Sequence, residues 1–308
     1  MSCQTPIAFL IFRRPDLTTK VFEAIREAKP HQLFIVADGG RNQKEILLCE
    51  EARKVTESID WDCEVFRNYS EENLGCRKRI SSGLDWVFSQ VDQAIILEDD
   101  CLPHPSFFRY CQELLEYYRH DQRIWCISGN NFQDGQRRGD GSYYFSNYPH
   151  CWGWATWRRA WHKYDRDLTN WPAFRDGQHL KGVFNSEQEA NYWQNVLERL
   201  YETGQPNSWA YVWGFTCWQN SGLSILPNVN LVSNIGFRMD ADHTTQESNL
   251  ANLAVSDIGI IKHPDYMVCD QNADTYSYYK CFGGARKSIF GRIYTKFKLI
   301  FSGLTQRT

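Results

Sequence analysis

Residues 94–100 have the sequence Ala-Ile-Ile-Leu-Glu-Asp-Asp, in which a short apolar run ends in three consecutive acids. An apolar run of this length that is bounded by charge is typical of a buried β-strand. Three adjacent carboxylates repel one another, and a cation among them stabilises their ionised forms. Because open α/β sheets bind ligands at the carboxyl ends of their strands, the sequence predicts a metal site at Glu98, Asp99 and Asp100. The oxygen ligands suit Mg²⁺ or Mn²⁺.

Strand-like and helix-like segments alternate on both sides of this stretch. This alternation predicts an α/β fold with a mostly parallel, Rossmann-like sheet and helices on both of its faces. The predicted strands are residues 7–12, 33–37, 63–66, 94–97 and 125–128. One helix is predicted to begin at Pro15, and three more are predicted at residues 44–59, 76–90 and 105–119.

The pattern changes from about residue 130. Residues 129–141 are rich in Gly, Asn, Asp and Arg, which predicts a loop, and residues 152–171 contain five tryptophans. We expect a helix at 186–203, a strand at 223–232 that Pro227 interrupts, and a polar loop at 238–252. The second half of the chain is thus predicted to be an aromatic-rich lobe.

The composition excludes some classes of protein. The chain of 308 residues has a formal net charge of −3, and no basic excess favours nucleic acid as a partner. Its 11 cysteines are an odd number without CxxC spacing, which favours free thiols and a reducing, cytoplasmic compartment. The apolar residues 7–12 are too short for a signal segment or a membrane span.

Residues 286–308 form a distinct basic tail. Five Lys or Arg residues and no acid alternate with apolar residues over 286–301. A basic amphipathic helix of this kind predicts peripheral contact with a membrane surface. A helix that packs on the core with a solvated basic face would have the same pattern, and the sequence does not separate the two.

Polar groups follow several of the predicted strands and are expected to meet in one crevice. Arg14 follows the first strand, Asp38 the second, and Gly75 precedes a helix whose first turn contains Lys78 and Arg79. Basic side chains and a helix N-terminus suit a diphosphate that a metal bridges, and an acid such as Asp38 suits a ribose or base. Each element alone has a simpler explanation: a turn, a solvated helix face or a helix cap.

The ordered set of motifs resembles the GT-A-fold glycosyltransferases, in particular the N-acetylglucosaminyltransferase I type and its bacterial family-2-like relatives. The resemblance depends on the strand followed by Arg14-Pro15, the strand followed by Asp38, Asn73-Leu74-Gly75 with basic residues, and Ile96-Leu97-Glu98-Asp99-Asp100. Pro105-Ser106-Phe107-Phe108, Gly153-Trp154 and residues 227–237 also look like that family. The likeness covers roughly residues 5–245.

The resemblance implies transfer of a sugar from a nucleotide-diphosphate donor, by default a uridine one, to a glycan or glycolipid acceptor with Mn²⁺ or Mg²⁺. It implies one domain at 1–285, with a nucleotide-binding part at 1–102 and an acceptor part at 103–285. Asp100 and His243 would hold the metal. Arg14, Asp38, Lys78, Arg79, Glu98 and Asp99 would bind the nucleotide sugar, and Gly153, Trp154 and Trp209 the acceptor.

The general base is the weak point of this assignment. In the family, an acid stands in a Trp-Asp turn before the closing strand, but this chain has Trp209-Ala210 there. An inverting transferase needs a carboxylate to take the proton of the acceptor hydroxyl. We expect Glu187 in that role, with Glu189 and Asp242 as alternatives. Either of these glutamates would also fit a surface helix, and a retaining mechanism stays open.

Two other classes remain. A sugar nucleotidyltransferase would also bind a nucleotide and a metal, but it is expected to have a glycine-rich loop where this chain has Phe12-Arg13-Arg14-Pro15. A non-catalytic carbohydrate-binding or scaffold protein could have kept the fold, and the alanine at 210 is the main argument for it.

Overall fold

The computed structural model describes residues 2–238 and 248–282. The predicted metal ligand His243, the alternative base Asp242 and the whole basic tail at 286–308 lie outside the described residues, so those expectations stay predictions. Among the described residues, no helix has the length and apolar character to cross a membrane. The cysteines lie between residues 3 and 281 and are all free thiols.

A large mixed sheet forms the centre of the fold. Its strands lie in the order β3-β2-β1-β4-β8-β6-β9-β7, and a small second sheet pairs β10 with β5. The strands are β1 Ile7–Ile11, β2 Gln32–Ala37, β3 Glu64–Tyr69, β4 Gln93–Glu98, β5 Cys101–Pro103, β6 Ile124–Ser128, β7 Tyr143–Ser146, β8 Trp154–Trp157, β9 Leu223–Pro227 and β10 Val232–Asn234.

Strands β1 to β4 are parallel to one another, and β6 is parallel to β9, whereas β8 and β7 are antiparallel to the strands beside them. This confirms the predicted mixed α/β fold with a largely parallel sheet. Strand β1 is apolar along its whole length because both of its faces are covered. Its side chains alternate between two cores, with Phe9 in one and Leu10 in the other.

Helices cover both faces of the sheet. Helices α1 and α4 pack on the face that contains Phe9, and α3 and α9 pack on the face that contains Leu10. The helices are α1 Pro15–Ala28, α2 Gln43–Val55, α3 Cys76–Gln90, α4 Ser106–Tyr117, α5 Arg158–Trp161, α6 Trp171–Asp176, α7 Leu180–Val183, α8 Glu187–Thr203, α9 Trp209–Gln219 and α10 Gln271–Cys281.

Local sequence sets several helix ends. Pro15 begins α1, where its missing N–H removes no helical hydrogen bond. The side chains of Asn42 and Ser186 cap α2 and α8 by accepting from the third helical N–H group of each. Gly204 ends α8 in the left-handed conformation that glycine adopts without strain.

Aromatic residues extend the core that contains Leu10 and build a third core. Trp154, Trp161, Trp209 and Trp213 form a tryptophan cluster beneath α9, with ring centroids 5.3 to 6.4 Å apart. A third core joins α6 to α8 with the outer side of α9 and contains Tyr148 and other aromatic rings. The aromatic-rich lobe predicted from the sequence is therefore present.

The structure differs from the sequence-based elements in several places. The strand predicted at 223–232 is two strands, because the chain leaves the large sheet after Pro227 and pairs with β5 instead. Strand β3 continues to Tyr69, three residues beyond the prediction, and α2 ends four residues early, at Val55. The elements that were not predicted are β5, β7, β8, α5, α6, α7, α9 and α10. The expected division at residue 102 falls inside β5, and the strands of both parts share one sheet.

Candidate functional site

The carboxyl ends of β1 and β4 meet at the point where the chain order of the sheet reverses. Leu10 of β1 pairs with Glu98 of β4, so Phe12 to Arg14 emerge beside the three acids. Such switch points open a crevice in α/β sheets. Here it is a cavity of about 550 Å³ that Arg14, Glu98, Asp99 and Asp100 line together.

Arg14 and two of the acids form an ion-pair cluster. The Arg14 guanidinium donates to the carboxylates of both Asp99 and Asp100, the latter at 3.0 Å, and the Phe12 N–H donates to Asp99 at 3.2 Å. Asp99 is 3% exposed. Burial raises the pKa of Asp99 to about 6, although the Arg14 charge lowers it. The negative charge of the buried Asp99 carboxylate therefore depends on the Arg14 guanidinium beside it.

The second small sheet positions Asp100. The Ile235 N–H donates to the Asp100 carbonyl oxygen at 2.8 Å, and Asn234 pairs with Cys101 across β10 and β5. Behind the carboxylate stands Gly236, and a Cβ at that position would collide with Asp100 Oδ2. The closing strand therefore fixes where the Asp100 carboxylate can lie.

Glu98 lines the same cavity. Burial raises its pKa to about 8, and the negative charges of Asp100 and Asp99 raise it further, whereas Arg14 and the Trp209 side chain lower it. Cys151 lies close enough for Glu98 to raise the pKa of its thiol. Without a counter-ion, Glu98 holds its proton near neutral pH.

Asp38 has a structural task in this cavity. Its carboxylate accepts hydrogen bonds from the N–H groups of Gly39, Leu74 and Gly75 at 2.9 to 3.0 Å, and from the Asn73 amide at 3.2 Å. A carboxylate has about four acceptor positions, and these donors fill them. Asp38 lines the cavity, but it holds the 73–75 loop and has no acceptor position left for a base or ribose.

Lys78 and Arg79 of α3, which were both expected in the cavity, lie on different sides of the helix. Arg79 is 6% exposed and lines the cavity, but its guanidinium donates to the carbonyl oxygens of Ala37 and Asn68 and joins the ends of β2 and β3. Lys78 is exposed and does not line the cavity. A helix that turns Arg79 inward necessarily turns Lys78 away, because adjacent helical residues face different directions.

The expected acceptor and base residues are also placed differently. Trp154 is fully buried within the tryptophan cluster and stacks on Trp209, which itself lines the cavity. Gly153 adopts φ +67°, and a Cβ there would meet Val232, so it serves close packing. Glu187 is 82% exposed at the start of α8, 4.0 Å from Lys181, and does not line the cavity that contains the acids. It is therefore misplaced as a general base. Its helical neighbour Glu189 is buried and accepts from Tyr148.

Four basic and four acidic side chains line the first cavity. Arg13, Arg14, Arg41 and Arg79 face Asp38, Glu98, Asp99 and Asp100. Arg13 and Arg41 both pair with Glu45, and Arg14 is committed to the acids. A diphosphate in this cavity would need added positive charge, which a divalent cation supplies.

Among the described residues, no three His, Cys, Asp or Glu side chains converge as a complete metal cage. A cation at this point would take one or two of the carboxylates, as Mg²⁺ sites with few protein ligands do.

A second cavity of about 230 Å³ adjoins the first. Cys151, Trp152, Ser208 and Ala210 line both, so Ala210 stands at their junction. The second cavity is walled mainly by aromatic side chains, among them Phe132, Tyr148, Trp193, Tyr211, Trp218 and Phe282. None of its described lining residues is Asp, Glu, Lys or Arg. Two buried polar residues, Asn130 and His150, are also in its wall.

Sequence reasoning missed this second cavity and the role of Gly236. Asn130 lies in a segment that predicted only a loop, and His150 precedes the tryptophan block without any spacing signal. The long run of residues 227–237 did contain the closing strand. Its single glycine could have indicated a close approach of backbone to side chain, but not which side chain.

No family model matches this sequence, and no curated protein matches it. Several solved structures resemble parts of the fold. A UDP-glucose pyrophosphorylase complexed with UDP-glucose is 9% identical over 52% of this chain and 78% of its own, with a TM-score of 0.30. The galactosyltransferase LgtC with donor and acceptor sugar analogues is 12% identical over 64% and 70%, with a TM-score of 0.34. A cytidylyltransferase from Leptospira borgpetersenii is 12% identical over 67% and 73%, with a TM-score of 0.32. Similarities this distant assign no family and no activity to the chain.

Proposed function

We propose that this protein is a metal-dependent glycosyltransferase that moves a sugar from a nucleotide-diphosphate donor to a hydroxyl of a glycan or lipid-linked acceptor. One observation carries the proposal. The cluster of Arg14, Asp99 and Asp100 lines a cavity at the switch point of the sheet, and that cavity shares lining residues with a second one whose described wall contains no Asp, Glu, Lys or Arg. The first has the charges for a diphosphate and a metal, and the second has the surface for an uncharged acceptor.

The donor diphosphate would lie between the ends of β1 and β4. Asp100 would hold the Mn²⁺ or Mg²⁺, which when bound would neutralise the departing diphosphate. Gly75 and Cys76 line the same cavity at the start of α3, where helix amide groups favour an anion. Arg14 would remain beside the cation site and keep Asp99 ionised.

The nucleobase would lie against Phe12. This ring lines the cavity, and the guanidinium carbons of Arg13 and Arg41 lie 5.5 and 5.7 Å from its centroid. A flat, partly exposed ring with such neighbours offers a stacking surface for a planar base. The 73–75 loop, which Asp38 holds, forms the adjoining wall. Uridine is the expected base only through the resemblance stated above.

Glu98 replaces Glu187 as the proposed carboxylate for the acceptor proton. Within the described residues, the acids that line the first cavity are Asp38, Glu98, Asp99 and Asp100. Asp38 and Asp99 are held by their donors, and Asp100 is assigned to the metal. Glu98 lies beside Trp209 and Cys151, near the junction of the cavities, where an acceptor hydroxyl would approach. A cation beside it would lower its pKa and favour the base form.

The nucleotidyltransferase alternative is less well supported. Its second substrate carries a phosphate, whereas the second cavity has no cationic side chain among its described lining residues. The scaffold alternative would bind the donor without transferring its sugar. Membrane contact through residues 286–301 stays a prediction, and deletion of 286–308 should release the protein from anionic vesicles if it is correct.

Isothermal titration with nucleotide sugars, with and without Mn²⁺, tests donor binding, and release of nucleoside diphosphate in the presence of an acceptor panel tests transfer. Asp100→Ala should abolish the Mn²⁺-dependent part of the affinity, whereas Asp167→Ala, which removes an exposed carboxylate, should leave it unchanged. Binding without release of nucleoside diphosphate would favour the scaffold. Consumption of a nucleoside triphosphate and a sugar phosphate would favour the nucleotidyltransferase.

A further inference from the structure

We propose that the second cavity binds an uncharged pyranose unit of the acceptor, whose hydroxyl groups bond to Asn130 and His150. The inference rests on the proposed function in one respect only: it calls the bound sugar an acceptor. The saccharide site itself is argued from the cavity, from its two polar wall residues and from the absence of charged side chains among its described lining residues.

Asn130 carries the strongest part of the argument. It is 1% exposed, and neither its amide nitrogen nor its amide oxygen has a hydrogen-bond partner among the described residues. A buried amide without partners destabilises a fold by its full desolvation cost. Its neighbour Asn131 shows the usual arrangement, since its amide donates to the Pro227 carbonyl at 2.6 Å and accepts from the Gln133 N–H at 2.8 Å.

His150 repeats the pattern on the same wall. It is 8% exposed, and its Nε2 has no hydrogen-bond partner among the described residues. Burial lowers the pKa of its imidazole to about 3, so the ring is neutral at physiological pH. A neutral imidazole and an amide can each donate and accept, which matches sugar hydroxyls, since these also do both.

Aromatic rings surround these two groups in the wall of the cavity. The Phe132 ring lies 4.8 Å from the His150 ring and 5.2 Å from the Trp152 ring, in both cases edge to face. Tyr148 stacks on His150 with an interplanar angle of 9°. A pyranose presents C–H groups on its faces and hydroxyls at its edge, so it can contact rings and polar atoms together.

Other occupants fit less well. An alkyl chain would leave the polar atoms of Asn130 and His150 without partners. A uronic acid or sugar phosphate would bring a charge into a cavity that has no described cationic wall residue. The shared residues Trp152, Ser208 and Ala210 connect this cavity to the proposed donor cavity. A sugar held here would therefore lie beside the donor.

Binding of methyl glycosides of neutral hexoses, followed by saturation-transfer NMR on the full chain, tests the proposal with and without uridine diphosphate and Mn²⁺. Asn130→Leu keeps the branching of the side chain but removes its polar atoms. It should weaken glycoside binding at least about tenfold and leave the melting temperature equal or higher. His150→Phe should weaken binding to a similar extent.

The matched control is Asn131→Leu, which removes partnered polar atoms and should lower the melting temperature. A fall in melting temperature for Asn130→Leu as large as for Asn131→Leu would overturn the proposal, because Asn130 would then be a structural residue. No saturable binding of any neutral glycoside up to its solubility limit would also overturn it, as would equal binding of a uronate. Glycoside binding measured without uridine diphosphate and Mn²⁺ depends on this cavity alone, so failure of the donor site and failure of this site are separable.

Discussion

Gly236 stands directly behind the carboxylate of Asp100, so that any side chain at position 236 would occupy the space of Asp100 Oδ2. Asp100 and Gly236 are far apart in the sequence. The closing strand β10 places the glycine, and β4 followed by β5 places the acid.

Gly236→Ala is expected to displace Asp100 and to weaken Mn²⁺-dependent donor binding by roughly tenfold or more. Overpacking of this kind also lowers the free energy of unfolding by about 1–3 kcal/mol. Titration calorimetry and chemical denaturation measure the two effects. Gly182→Ala is the control, because a Cβ at that helical position meets no other atom within 4 Å. Unchanged metal-dependent affinity in Gly236→Ala would remove the closing strand from the site.

Arg14→Leu should leave two acids without their cationic partner. Removing one side of a buried ion pair costs on the order of 3 kcal/mol of unfolding free energy. Burial already raises the pKa of Asp99 from its ordinary 3.8 to about 6. Asp99 therefore takes up its proton at a higher pH in the folded protein than in the unfolded chain. The destabilisation should therefore shrink as the pH falls from 7 to 5, because a neutral acid needs no partner.

Urea denaturation of Arg14→Leu at several pH values measures this effect. The double variant Arg14→Leu with Asp99→Asn should recover part of the stability at pH 7. A loss that is equal at pH 5 and pH 7, or a double variant that is no more stable than the single one, would show that Arg14 acts through packing alone.

Asp38→Ala should destabilise the protein by roughly 3 kcal/mol, because it leaves the donors of the 73–75 loop without their acceptor. Asp62→Ala, which removes an exposed acid, should have almost no effect. Denaturation curves measure the change. If Asp38 instead contacts the base of the donor, Asp38→Asn would lower donor affinity while the stability stayed close to that of the wild type.

Glu189 gives the fold a pH dependence away from the site. Burial raises its pKa from 4.5 to about 7, although the hydrogen bond from Tyr148 lowers it. The group binds its proton more tightly in the fold than in the unfolded chain. Its contribution to stability is therefore complete below pH 4.5 and is lost as the pH rises through 7.

Glu189→Gln stays neutral at every pH and should gain stability over the wild type by roughly 3 kcal/mol between pH 4.5 and pH 8. Unfolding free energies over that range measure the gain. Glu187→Gln, on the exposed side of the same helical turn, should follow the wild-type curve. A pH-independent difference for Glu189→Gln would mean that Glu189 remains ionised in the fold.

The central strands and the acids were predictable because both signals are local. Strand β4 is a continuous apolar run with charge at its end, and a strand buried on two faces needs no partner information to be recognised. The same holds for Arg14, which follows β1 directly. The placement of Arg14 beside Asp99 then follows from the parallel pairing of β1 with β4.

Tertiary structure alone decided the roles of the remaining residues. Asp38 has the same chemistry whether it meets a ribose or a loop, and only the fold brings the N–H groups of residues 74 and 75 to it. Glu187 and Glu189 differ by two positions on one helix, yet packing exposes one and buries the other. Asn130, His150 and Gly236 carry no signal in their neighbours along the chain, because a cavity wall is assembled from segments far apart in sequence.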